Sequence, residues 1–145
     1  MFRQLIEGVL LIALTVAIHG SVLGWSIGRL RLTSVASSRT FVADTWLLSR
    51  LAVWAVLAHL LEITVWGLYY YWRGILPDVE TSVYFSAVTY ATIGYGDVVP
   101  PPDWRLLAGM EGLVGILMCG WSGGFFFATV SRMYLAPGPG PAPGG

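Results

Sequence analysis

Three stretches of this chain are long enough and apolar enough to cross a lipid bilayer, and that limits the fold more than any other feature. A spanning helix needs about 20 mostly apolar residues at 1.5 Å rise each. Residues 5–28 meet the requirement, as do 46–72, with His59 and Glu62 inside, and 106–135, interrupted by Glu111. In lipid every backbone polar group must be paired within the protein, so apolar segments of this length form helices. Composition agrees, with 56% of residues hydrophobic and 11% charged, against about 25% charged in soluble domains. The chain reads as an all-α integral membrane protein with three transmembrane helices.

A fourth apolar segment, 81–91, is too short to span. As a helix it reaches only about 16 Å, half the hydrocarbon thickness. Asp78, Glu80 and Thr81 are helix-start residues, with acids at the positive end of the dipole. The segment therefore reads as a half-helix that enters the membrane and turns back, and irregular backbone beyond it must be enclosed by protein or line a water-filled cavity.

The eight basic residues are all arginines and are balanced by eight acids, so there is no positive surplus to attract nucleic acid. Their distribution sets the expected topology. Arg29, Arg31, Arg39 and Arg50 lie between the first two spans against one acid, Asp44, and Arg132 closes the third. The positive-inside rule places that linker and the C-terminus in the cytoplasm and the N-terminus outside. A cleaved signal peptide is set aside, because the first apolar run exceeds 7–15 residues and contains Glu7. Trp66, Tyr69, Tyr70, Tyr71, Trp72 and Trp104 read as outer interfacial anchors, and Trp46 and Tyr134 as inner ones. The arginine-only, Ala- and Gly-rich composition suggests a bacterial inner (plasma) membrane. A lone cysteine, Cys119, excludes an internal disulfide.

Directly after the half-helix stands Thr92-Ile93-Gly94-Tyr95-Gly96-Asp97. A strand sends alternate carbonyls to opposite sides. Aiming successive carbonyls at one axis requires a left-handed backbone at every second residue, which glycine adopts without steric cost, and Gly94 and Gly96 have that spacing. Ile93 and Tyr95 then point into a surrounding wall. The carbonyls of Thr92, Ile93, Gly94 and Tyr95, with the Thr92 hydroxyl, can replace the water around a dehydrated K+ ion. One chain supplies one strand of such a ring, so closure by rotation predicts a homotetramer. Asp97 at the outer mouth, with Thr89 and Tyr84 on the preceding helix, is read as support for the loop.

The string resembles the potassium-channel signature, and residues 46–133 resemble the pore module of bacterial two-helix potassium channels. The third span, with Met110-Glu111-Gly112-Leu113-Val114-Gly115 and Phe127-Ala128-Thr129-Val130-Ser131-Arg132, is similar to the inner helix of inward-rectifier potassium channels. That resemblance implies Gly115 as a hinge, Cys119 and Gly123 facing a cavity, and Phe127 narrowing its cytoplasmic end. Three features depart from the pattern. No cytoplasmic domain is expected after the third span, Val88 stands where many relatives carry a pore-helix glutamate, and the first span has no counterpart in two-helix channels.

The organisation expected is an N-terminal transmembrane helix at 1–30, a cytoplasmic linker at 31–45 and a pore module at 46–135. The module divides into an outer helix 46–72, a pore helix 81–91, a filter 92–97 and an inner helix 104–135, followed by a disordered Pro/Gly tail at 136–145.

Four further ionisable groups sit at membrane depth, which is costly and marks candidates for function. His59 and Glu62, three apart, share a helix face and could form a proton-sensitive latch or a register-fixing link. Glu111 and His19 carry the same two readings. Gly20, Gly24 and Gly28 recur at four-residue intervals, a face for close helix packing. The function expected is passive, K+-selective conduction by a homotetramer in the bilayer, without catalysis or cofactor. The competing readings are a weakly selective cation pore, a non-conducting partner subunit, and a haem held between His19 and His59.

Overall fold

The computed structural model describes residues 2–33 and 40–134. Linker residues 34–39 and the tail expected at 136–145 lie outside the described residues. Four α-helices follow in order: α1 (Phe2–Thr33), α2 (Phe41–Trp72), α3 (Val79–Tyr90) and α4 (Arg105–Tyr134), the last preceded by a 3₁₀ turn, Pro102–Trp104. Three segments have the length and hydropathy of membrane spans, Phe2–Gly28, Phe41–Trp72 and Pro102–Met133. The protein is an all-α membrane protein with three spanning helices. With 12 residues, α3 extends about 18 Å and cannot cross.

Helix starts differ from the sequence reading for reasons visible in the caps. The second helix begins at Phe41, not Trp46, because Thr40 takes an extended backbone and its hydroxyl accepts from the Ala43 amide at 3.3 Å. With α1 helical to Thr33, both flanks of the expected 31–45 linker are helix. Likewise α3 starts at Val79, because Asp78 is its N-cap. One carboxylate oxygen accepts from the Thr81 amide and the other from the Thr81 hydroxyl, each at 2.8 Å. These bonds favour the charged form and hold the Asp78 carboxyl below its ordinary value.

Helix α2 packs along α3 and α1, and α4 closes against α1 and α3. Their shared core contains Leu11, Trp66, Tyr70, Phe85, Leu107 and Met118. Trp66 and Tyr70 are fully buried, so they are core residues and not the lipid-facing anchors expected from their position; Trp72 and Trp46 remain exposed. Helix α2 crosses α3 closely, and a Cβ on Gly67 would lie 2.7 Å from the Val83 Cα.

The first helix is fastened by polar links more than by its glycines. Glu7 pairs with Arg73 at the end of α2, at 3.2 Å. The Trp66 indole donates to the Thr15 hydroxyl at 2.9 Å, and Trp25 meets Trp54 edge-on at 4.9 Å. Of the Gly20, Gly24 and Gly28 face, only Gly20 packs, with Trp121 as its neighbour; a Cβ on Gly24 or Gly28 would meet nothing within 4 Å. The tight position is Gly8, which abuts the Met110 side chain.

Candidate functional site

The loop after α3 is built on that helix's last turn. The Thr92 amide donates to Thr89 O at 2.9 Å, and the amides of Ile93 and Gly94 both reach Val88 O, at 2.8 and 3.1 Å. From there the backbone alternates: Thr92, Gly94 and Gly96 have φ of 58°, 54° and 78°. Two of these positions carry the expected glycines. The third is a threonine, a left-handed β-branched residue of a kind that costs about 1–3 kcal/mol and persists only where its surroundings enforce it. Among the described residues, the carbonyls of Thr92, Ile93, Gly94 and Tyr95 accept no hydrogen bond.

Every residue from 91 to 97 is exposed in the single chain. Ile93 and Tyr95, expected to point into a wall, are 52% and 69% exposed, so their own chain does not supply that wall. Beside the loop, Asp97 accepts from the Tyr84 hydroxyl at 2.7 Å, pinning the returning chain to α3. This bond, first among its causes, holds the Asp97 carboxyl below its ordinary value. Thr89 is half-buried, and its carbonyl lies near Gly112 of α4.

Two buried polar clusters hold α3 from behind. Glu111, fully buried on α4, accepts from Tyr70 Oη of α2 at 2.7 Å and is hydrogen-bonded through its other oxygen to Ser86 Oγ of α3. One turn along α4, a Cβ on Gly115 would collide with the Tyr90 carbonyl. The structure thus places this glycine at the closest approach of α4 to the end of α3. Farther along α4, Cys119, Gly123 and Phe127 recur at four-residue intervals on one exposed face.

The second cluster joins all four helices. Glu62 pairs with His59 at 3.7 Å, as their three-residue spacing on one face allows. Its nearer partners are His19 of α1, Nδ1 to Oε1 at 2.9 Å, and the Tyr90 hydroxyl, which donates to the other oxygen. His59 Nδ1 lies 3.0 Å from Tyr90 Oη. Ser122 Oγ of α4 bridges the two imidazoles, at 3.0 Å from His19 Nε2 and 3.2 Å from His59 Nε2. The ring centroids are 5.0 Å apart and both Nε2 atoms converge on one hydroxyl, which leaves no gap for a porphyrin between them. Tyr90 and Ser122 escaped the sequence reading because nothing in their spacing marks them; only the helix crossings bring them to the histidines.

An all-helical membrane protein with a half-helix, a loop of alternating handedness and a flanking pair of spans is the arrangement of an ion-conducting pore domain. The family model described as "Ion channel" matches residues 56–132, more than half of the chain, and the chain belongs to that family. The matched region contains most of α2, all of α3 and the loop, and nearly all of α4, and leaves α1 outside it. No curated protein and no solved structure gives a match.

Proposed function

We propose that this ion channel conducts K+ passively through a filter formed by Thr92-Ile93-Gly94-Tyr95-Gly96-Asp97 from four identical chains. The observation that carries the reading is the row of unpaired carbonyls from Thr92 to Tyr95 on a backbone left-handed at 92, 94 and 96. At membrane depth a carbonyl without a partner costs several kcal/mol. Here four successive ones are open, and a dehydrated cation at the shared axis satisfies them together. The C-terminal end of α3 at Tyr90 turns the negative end of its dipole toward the space behind the loop, where a cation waits.

Four copies also resolve the exposure of Ile93 and Tyr95, since neighbouring chains provide the wall that one chain lacks. In this assembly the exposed Cys119, Gly123 and Phe127 face lines the inner cavity and Gly115 serves as its bending point. Asp97 collects cations at the mouth. The arginine distribution puts the N-terminus outside and α4's far end in the cytoplasm of a bacterial inner membrane.

The test is flux from liposomes containing purified protein, with reversal potentials in mixed K+ and Na+. Strong preference for K+, abolished in Gly94→Ala, is the expected result. Equal permeation of Na+ would replace the proposal with a weakly selective pore, and no flux from folded protein would point to a subunit that conducts only with another chain.

A further inference from the structure

Hydrogen bookkeeping at the four-helix cluster does not close. Five contacts each need a hydrogen: His19 Nδ1 to Glu62, Tyr90 Oη to Glu62, His59 Nδ1 to Tyr90, and Ser122 to each Nε2. Two neutral imidazoles, one phenol and one serine hydroxyl provide four, and an ionised carboxylate provides none. The cluster is therefore one cation short. Its carboxylate is fully buried, and among the described residues its ion-pair partners are the two histidines alone.

We propose that His19, His59 and Glu62 form a site for one divalent transition-metal ion of the zinc type, clasping α1 to α2 behind the end of the pore helix. With both Nε2–H groups donating to Ser122 Oγ, which can accept two hydrogen bonds, both Nδ1 lone pairs turn toward the carboxylate. The ligand atoms of the three residues lie within 4.8 Å of one another. His19 Nδ1 stands 2.9 Å from Glu62 Oε1 and His59 Nδ1 3.7 Å from Glu62 Oε2, so each imidazole faces its own oxygen of a carboxylate that can bind through either one, at separations near the roughly 3.3 Å edge of a tetrahedron with 2.0–2.1 Å bonds. Tyr90 Oη, 3.0 Å from His59 Nδ1 and donating to Glu62, steadies the carboxylate beside the ion. Imidazole and carboxylate together select zinc-like ions over Mg2+ or Ca2+, which prefer all-oxygen shells. Ser122 then acts as the outer partner that fixes both rings. His59 keeps 18% of its side chain exposed, which gives an ion its approach.

This site does not depend on the K+ reading, and either can fail alone. The experiment is titration of purified, chelator-stripped full-length protein at pH 7.5 with Co2+, followed by its absorption bands, and with Zn2+ in competition with a chromophoric chelator. One ion per chain is expected, with an intense visible Co2+ band of tetrahedral type. His19→Gln and His59→Gln should each weaken binding at least 100-fold, and Ser122→Ala about 10–100-fold, while the exposed Ser49→Ala on α2 should leave it unchanged. Absence of binding by folded wild type would overturn the site and leave the extra cation as a proton. Unchanged affinity in the histidine variants would do so equally. Should those variants misfold, undiminished binding in Ser122→Ala would be the overturning result.

Discussion

The single hydrogen of the Ser86 hydroxyl faces two acceptors, the Ile63 carbonyl at 2.8 Å and the Glu111 carboxyl. Tyr70 already donates to the other Glu111 oxygen. The count closes when Glu111 itself carries a hydrogen and donates it to Ser86, which frees the serine for Ile63. A neutral glutamate in a fully buried place also avoids the several kcal/mol of an unpaired charge. Glu111→Gln, with the same shape and a donor in the same place, should therefore stay within about 1 kcal/mol of wild type in denaturation. Glu111→Ala should lose about 2–4 kcal/mol by orphaning Tyr70 and Ser86 in a cavity. At the exposed mouth, Asp97 has its carboxyl lowered from 3.8 by the Tyr84 hydroxyl. A depressed carboxylate stabilises above its unfolded value and loses that contribution as pH falls through the folded one. Acidification of the outer face below about pH 4 should thus release the loop, measurable as faster loss of current in wild type than in Tyr84→Phe, where the bond is already gone. What the sequence made legible at this scale was the glycine alternation at 94 and 96. The left-handed Thr92 was not legible, because nothing in a threonine announces a conformation that only the Val88 and Thr89 carbonyls impose through the amides of residues 92–94.

Between helices, shape decides more than motif. The interval of Gly20, Gly24 and Gly28 suggests a packing seam, yet only the first of them touches a neighbour, while Gly8 and Gly115, outside that interval, sit at close approaches. Gly24→Ala should accordingly change stability by less than about 0.5 kcal/mol. Gly115→Ala must push α4 away from the backbone of Tyr90, which cannot yield as a side-chain tip can, and should cost about 3 kcal/mol or more. Thermal denaturation of the two variants in one detergent makes the comparison. The existence of α1 through α4 could be read from hydropathy and length, and the α3 start from its acidic turn. The partners of α1 could not be read. Thr15, His19 and Glu7 find Trp66, Glu62 and Arg73 across 43 or more positions of sequence, and no periodicity encodes such a meeting. Thr15→Val should leave the Trp66 indole without its acceptor and cost about 1–3 kcal/mol, detached from any effect on the 92–97 loop.

For the molecule as a whole, the exposed apolar surface carries the argument. Leu113, Ile116, Leu117 and Phe127 lie open on α4, as do Ile93 and Tyr95 in the loop. Lipid can cover the flanks of a helix, but it cannot satisfy the loop's bare carbonyls. Native mass measurement in mild detergent should give a particle of four times the 15.8 kDa of one chain, and Tyr95 should resist surface labelling there while reacting in a dissociated chain. The helical frame was evident from composition and hydropathy, whereas the four-helix polar cluster was hidden from them, being a product of tertiary crossing rather than of any local pattern.

The left-handed threonine at position 92 has a temporal consequence. In a lone newly inserted chain only the Val88 and Thr89 carbonyls hold that residue in so unfavourable a posture, because nothing yet stands opposite its own oxygens. On the proposed reading the frame settles first and the narrow loop last, once companion chains and permeant ions arrive together. Biogenesis in ion-depleted medium should then yield complete bundles whose central passage has never been set.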